Sequence, residues 1–181
     1  THIIQGSSSA PYVDVVTSDK PIAILQIIGS LNGTPSGDPA IVMVTPSEQF
    51  LNDALFATPG PQFSLNEITV VGKTADVGNF TLDGTAINSS EFTAITGTSF
   101  SVARITITQG THRVKSTDGF ALYAFGYNNA DSYAYSAGNG MVDTVANPGG
   151  TADTGFQSIE QLISASAGLQ NVTTTSGDFE Y

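Results

Sequence analysis

Residues that set turn dihedrals recur roughly every 8 to 15 positions along most of the chain, and this spacing leaves strands as the only regular elements that fit between them. The intervening runs are rich in β-branched and aromatic residues. Tyr12 to Val16 and Lys20 to Ile28 read as two strands of a hairpin, with Ser18-Asp19 as the tight connection. Asn32 to Pro39 concentrates Gly, Pro, Asn and Asp and reads as a loop; Ala40 to Val44 follows as a strand. Pro46 to Pro61 contains prolines at 46, 59 and 61 and reads as an irregular segment that wraps the body and tucks in Phe50, Leu51, Leu55 and Phe56.

Glu67 to Val71 and Gly78 to Leu82 are the next strands, and Asp83-Gly84 is the strongest short hairpin signal in the sequence. In Ser99 to Thr108 the apolar parity changes, from Phe100 and Val102 to Ala103, Ile105 and Ile107, as a bulge or a strand buried on both faces requires. Gln109-Gly110 turns into Thr111 to Ser116, where Arg113 and Lys115 alternate with Val114, so half of that strand faces water. Phe120 to Tyr127 carries bulk at every other position on both faces and belongs in the centre of a covered sheet. The one convincing helix comes late. Thr154 and Gln157 form a capping box, Phe156, Ile159, Leu162 and Ile163 share a face, and Gly168 ends it, which predicts a helix over about 155–167. The expected architecture is all-β: an antiparallel two-sheet β-sandwich of jelly-roll or Ig-like type over residues 1–145. A Gly/Pro linker, the short C-terminal α-helix and an extended tail then occupy 146–181.

Sixteen Asp and Glu against five Lys and Arg leave a net charge of −11, and the five cations never form a run. Nucleic acid and anionic membrane surfaces are therefore poor candidates as partners, and no nucleic acid is expected. The longest apolar stretch, Pro21 to Gly29, is far short of the roughly 18 residues of a membrane span, so no membrane insertion is expected. The absence of Cys excludes disulfides, thiolate metal sites and thiol catalysis. Thr1 fits either removal of a signal segment or removal of an initiator Met.

Little in the sequence points to catalysis. His2 and His112 are the only imidazoles, and no Gly-x-Ser-x-Gly elbow accompanies them, so His112 reads as a structural hydrogen-bonding residue or a surface one. No cofactor is implied, with calcium as the one candidate: turn oxygens of Asp83, Asn128 and Asp131 supply the hard ligands it takes, alongside Asp38, Asp76 and Asn129. The alternative for these groups is a set of solvated turn carboxylates. Tyr133 and Tyr135, in a Gly/Asn/Ser-rich segment after the aromatic strand, read as an exposed pair suited to protein or glycan contact; Tyr123 reads as packed. Asn-x-Ser/Thr triplets begin at Asn32, Asn79, Asn88 and Asn171.

The run Gly110-Thr-His112-Arg-Val-Lys-Ser116, followed by Gly119-Phe-Ala-Leu-Tyr-Ala-Phe-Gly126 and Ser132-Tyr133-Ala-Tyr135-Ser-Ala-Gly138, resembles the end of the N-terminal domain of IgGFc-binding proteins. Ser18-Asp19-Lys20-Pro21, Gly37-Asp38-Pro39-Ala40, Pro46-Ser-Glu48-Gln49 and Leu82-Asp83-Gly84 fall in the same order, so the resemblance covers about 12–138. It implies a β-rich, surface-displayed module of secreted adhesive or mucus-associated proteins, without catalytic activity. The expected function is a non-enzymatic structural or adhesive module, extracellular or at the cell surface, acting through protein-protein or glycan contacts and self-assembly. Its contacts are expected at Tyr133, Tyr135, Phe156, Ile159, Leu162 or Ile163. The alternatives are a virion structural protein, such as a capsid decoration or fibre component on the virion surface, and a carbohydrate-active hydrolase.

Overall fold

A computed structural model describes residues 13, 15–29 and 37–140. Among them the order is β1 (Leu25–Ile28), β2 (Ala40–Met43), β3 (Leu51–Ala57), β4 (Leu65–Lys73), β5 (Thr81–Leu82), β6 (Thr85–Ala86), β7 (Phe92–Ala94), β8 (Phe100–Ile107), β9 (Thr111–Asn128) and β10 (Asp131–Ser136). Short 3₁₀ turns occupy Ser47–Gln49, Thr74–Asn79 and Ser89–Glu91. All strand pairs are antiparallel: β1 and β2 form a two-stranded sheet, and the other eight form a second sheet ordered β6-β5-β9-β4-β8-β7, with β3 and β10 also paired to β9. The chain divides between Asn139 and Gly140. The helix expected at 155–167, with Phe156, Ile159, Leu162 and Ile163, lies outside the described residues.

Thr111 to Ser116 and Phe120 to Tyr127, expected as separate strands, are one strand of 18 residues. The Ser116 to Gly119 sequence, which has turn composition, forms a bulge instead. Asp53 pairs with Lys115 and Leu51 with Phe120, so Asn52 alone stands opposite the residues between. Buried Asp76, from the Thr74–Asn79 turn, supplies the acceptors that hold this bulge. Its carboxylate accepts from the hydroxyls of Ser116 and Thr117, from the Asp118 N–H at 2.9 Å and from Asn79 Nδ2 at 2.6 Å. Burial works to raise the Asp76 pKa, but these hydrogen bonds outweigh it and hold the carboxyl well below its ordinary value of 3.8.

Alternation along the second half of β9 builds two apolar layers. Phe120, Leu122 and Ala124 join Ile68, Val70, Phe80 and Val114 on one face, with the Phe80 ring 5.3 Å from Phe120 and 5.0 Å from Phe92. Ala121 and Tyr123 meet Val42 of β2 on the other, flanked by Phe50, Val71 and Phe125. The central placement expected for Phe120 to Tyr127 follows from this double burial. Thr45, just past β2, fixes the layers in register: its N–H donates to the Tyr123 hydroxyl at 3.0 Å, and its own hydroxyl donates to Asn139 Oδ1 at 2.5 Å.

Several local expectations are corrected. Among the described residues β1 pairs with β2, and Tyr12 and Asp14 of the expected first strand lie outside them; Pro21 has no N–H to give a ladder, and Lys20 N–H is turned onto Ser18 Oγ. The Pro46 to Pro61 segment contains β3, because its prolines lie at the ends and leave Leu51–Ala57 free to pair with β9. Period-two alternation then buries Ala54 and Phe56 and leaves Leu55 69% exposed, so Leu55 is not tucked in. Only Thr81 and Leu82 of the strand expected over Gly78 to Leu82 are strand; Gly78 and Asn79 end the 3₁₀ turn. Of the two readings of β8 the bulge falls and the strand covered on both faces holds: its ladder to β4 is continuous, and Phe100 and Val102 pack on the opposite face from Ala103 and Ile107. Asp83-Gly84 does form a two-residue hairpin turn, with φ of 53° and 81°.

Two outcomes are expected in urea titrations. Asp76→Asn replaces an acceptor by a donor in front of hydroxyl and amide donors and lowers stability by about 3 kcal/mol. Ala130, at the β9–β10 turn, holds φ at 52°, and Ala130→Gly relieves this to raise stability by about 1 kcal/mol.

Candidate functional site

The two-stranded sheet turns one face inward and one outward. Val42 is buried, whereas Leu25, Ile27, Ile41 and Met43 are 62%, 71%, 60% and 56% exposed. The exposed four are cross-strand partners, Leu25 with Met43 and Ile27 with Ile41. Direct neighbours across an antiparallel pair stand about 5 Å apart, so they form one continuous apolar surface. No charged residue occurs from Pro21 to Gly29 or from Pro39 to Ser47. In a chain of net charge −11 this is a bare apolar face. Its signal was present in the sequence as two strands apolar at almost every position, a pattern that reads equally as burial on both sides.

A second cluster lies at the start of β9. Arg113 grips Asp53 with two bonds, Nε to Oδ1 at 2.7 Å and Nη2 to Oδ2 at 2.5 Å, and Lys115 Nζ adds a third at 3.2 Å. These hydrogen bonds and charges hold the Asp53 carboxyl below its ordinary range. His112 is buried beside the Phe56 ring, with Nδ1 2.7 Å from Asp83 Oδ2 and Nε2 2.9 Å from the Thr108 carbonyl. Both ring nitrogens are thus engaged by groups of the fold. Asp83 Oδ1 also accepts from the Arg113 N–H at 2.8 Å, which ties the β5–β6 turn to β9. A shallow depression of about 240 Å³ lies between Thr81, Asp83, Gly84, Arg113 and Lys115. Its charged walls are already committed, Arg113 and Lys115 to Asp53 and Asp83 to His112.

The candidate calcium ligands do not converge. Asp83 sits at the first end of β9, bound to His112 and Arg113, whereas Asn128 and Asp131 face each other across the β9–β10 turn at the other end. No group of three or more His, Asp or Glu side chains stands together among the described residues.

Tyr133 and Tyr135 differ from expectation. Both are half-buried on the main core; Tyr133 donates to Asn66 Oδ1 at 2.7 Å and Tyr135 to the Ala57 carbonyl at 2.5 Å. Burial raises both hydroxyl pKa values. The reason is that their segment is β10, a strand paired to β9, which directs alternate side chains inward.

A family profile described as IgGFc binding protein matches residues 3–126, about two-thirds of the chain. The chain belongs to the IgGFc binding protein family. The family match ends at Gly126 inside β9, so it includes the apolar face and the His112–Asp83 pair and leaves β10 outside it. Comparison with curated proteins and with solved structures finds no match. Within the family region no described helix is long and apolar enough to cross a membrane.

The His112 hydrogen bond lowers the Asp83 pKa below 3.8, against a smaller opposing effect of burial. A depressed folded-state value means that the carboxylate's contribution is complete above the unfolded value and is lost as pH falls through the folded one. Asp83→Asn retains a residue that tolerates φ of 53°. The gap in urea midpoint between wild type and this variant is therefore expected to be full at about pH 6 and to narrow as pH falls below 3.8.

Proposed function

We propose that this chain is a non-enzymatic, extracellular module that works by protein contact. The observation that carries the reading is the uncharged apolar face of Leu25, Ile27, Ile41 and Met43 on an otherwise acidic chain. The largest apolar patch on a soluble monomer is often its functional one. Family membership supports a contact function and an extracellular setting. The family's name describes binding to immunoglobulin Fc, and that ligand is the natural first probe rather than the assigned partner.

The layering supports the sandwich reading of the fold, with one of its two sheets reduced to β1 and β2 and seated through Val42 on Ala121 and Tyr123. A sandwich of this kind displays its outer sheet face as a platform. Contact at that platform needs no metal and no catalytic group, and the engaged ring nitrogens of His112 fit a structural role. The virion and hydrolase alternatives draw no support from the family or from the geometry.

The test is a binding panel with the immobilised full-length chain: immunoglobulin Fc, deglycosylated mucin polypeptide and a glycan array. Saturable binding to a protein ligand that is lost in the Ile27→Asp/Ile41→Asp double variant, with no glycan retained, is the expected outcome. Glycan binding that survives the double variant would sink the reading.

A further inference from the structure

We propose that Asn88 is an acceptor for an N-linked glycan and that Asn79, which begins the same kind of triplet, is not; the proposal rests on the extracellular reading above and adds a covalent modification to it. The described residues contain Asn79-Phe80-Thr81 and Asn88-Ser89-Ser90. In the transfer, the side-chain Nδ2 forms a bond to the anomeric carbon of an oligosaccharide carried on a polyprenyl pyrophosphate. The bond from that carbon to the phosphate oxygen breaks, the lipid pyrophosphate leaves, and one Nδ2 proton passes to a base. The modified nitrogen keeps a single proton and gains a bulky, hydrated substituent. Because the sugar joins the chain before folding is complete, the fold accepts it only where Nδ2 faces water and has no bond to give up.

Asn79 fails this condition. Its Nδ2 donates to Asp76 Oδ1 at 2.6 Å and to Thr117 Oγ1 at 3.2 Å, so both of its protons are committed. Asp76 is buried, and Asn79 is one of the donors that hold its carboxylate against the bulge of β9. A sugar on Asn79 takes away one of these bonds and sets its bulk beside a buried charge that is costly to leave short of donors.

Asn88 meets it. Its Oδ1 accepts the Ser90 N–H at 3.0 Å, which closes an Asx turn and fixes the planar amide with its oxygen toward the backbone and Nδ2 on the other side. Asn88, Ser89, Ser90 and Glu91 are all exposed. Attachment at nitrogen leaves Oδ1 able to accept, so the turn survives the modification. The turn leads directly into β7, the last strand in the sheet order, which among the described residues pairs with β8 alone and has Thr93 and Ala94 exposed. A glycan at the head of this outermost strand displaces no neighbouring strand.

The test is expression of the full 181-residue chain behind a cleaved secretion signal in cultured animal cells. Each triplet is read by peptide mass before and after peptide N-glycosidase, which converts a glycosylated Asn to Asp. The secreted chain is expected to carry a glycan at Asn88 and none at Asn79. Ser90→Ala removes the acceptor triplet but keeps the backbone N–H that Asn88 Oδ1 accepts; it is expected to lose the Asn88 glycan and to melt with the enzymatically deglycosylated wild type. A secreted wild type with Asn88 bare overturns the proposal, as does a glycan retained at Asn88 in Ser90→Ala. A glycan on Asn79 in secreted chain that melts as wild type overturns the distinction between the two sites. A chain glycosylated at Asn88 that binds no protein ligand in the panel above leaves this site standing and sinks the contact function instead.

Discussion

Strand β9 is hydrogen-bonded along both edges. Tyr123 to Tyr127 lie between β4 and β10, and Val114 and Lys115 lie between β3 and β5. A strand so long, flanked by four others, survives only if the mismatch between its two halves is absorbed somewhere. That place is the bulge at Ser116 to Gly119, where ladder pairing to β3 lapses and the freed donors need acceptors. Asp76 provides them from a turn between β4 and β5. An ionised carboxylate is expensive to bury, but four donors of the right sign offset that cost without a paired cation. Lys73, at the end of β4, instead bonds Asp118 on the exposed side at 3.1 Å.

From this bulge the rest of the layout follows. On one side of it β9 carries the small apolar alternation of Phe120 to Tyr127, which must be covered above and below. On the other it alternates Val114 with Arg113 and Lys115, which must be wet on one face. Tyr123 reaches through its hydroxyl to Thr45, and Val42 sits on the ring's layer, so the two-stranded sheet is positioned by β9 as well. With the inner side of that ribbon fixed, period-two geometry leaves Leu25, Ile27, Ile41 and Met43 no direction but outward.

Those parts of the fold that depend on neighbours in sequence were legible. Asp83-Gly84 announces its turn because both residues accept positive φ, and the dense aromatic run of β9 announces double burial because no half-exposed strand carries it. His112 as a residue of the fold was legible from the lack of any companion nucleophile motif. The misreadings share a cause: each was decided by a partner far along the chain. Ser116-Thr-Asp-Gly119 has turn composition, and only the carboxylate of Asp76, forty residues earlier, makes it a bulge. Leu51–Ala57 lies among prolines and becomes a strand because Thr111 to Lys115 offers it an edge. Tyr133 and Tyr135 look like loop aromatics until Asn66 and the Ala57 carbonyl take their hydroxyls. The apolar outer face was ambiguous for the opposite reason. An apolar strand in the middle of a sheet and one in a bare ribbon have the same sequence, and only the count of layers above it distinguishes them.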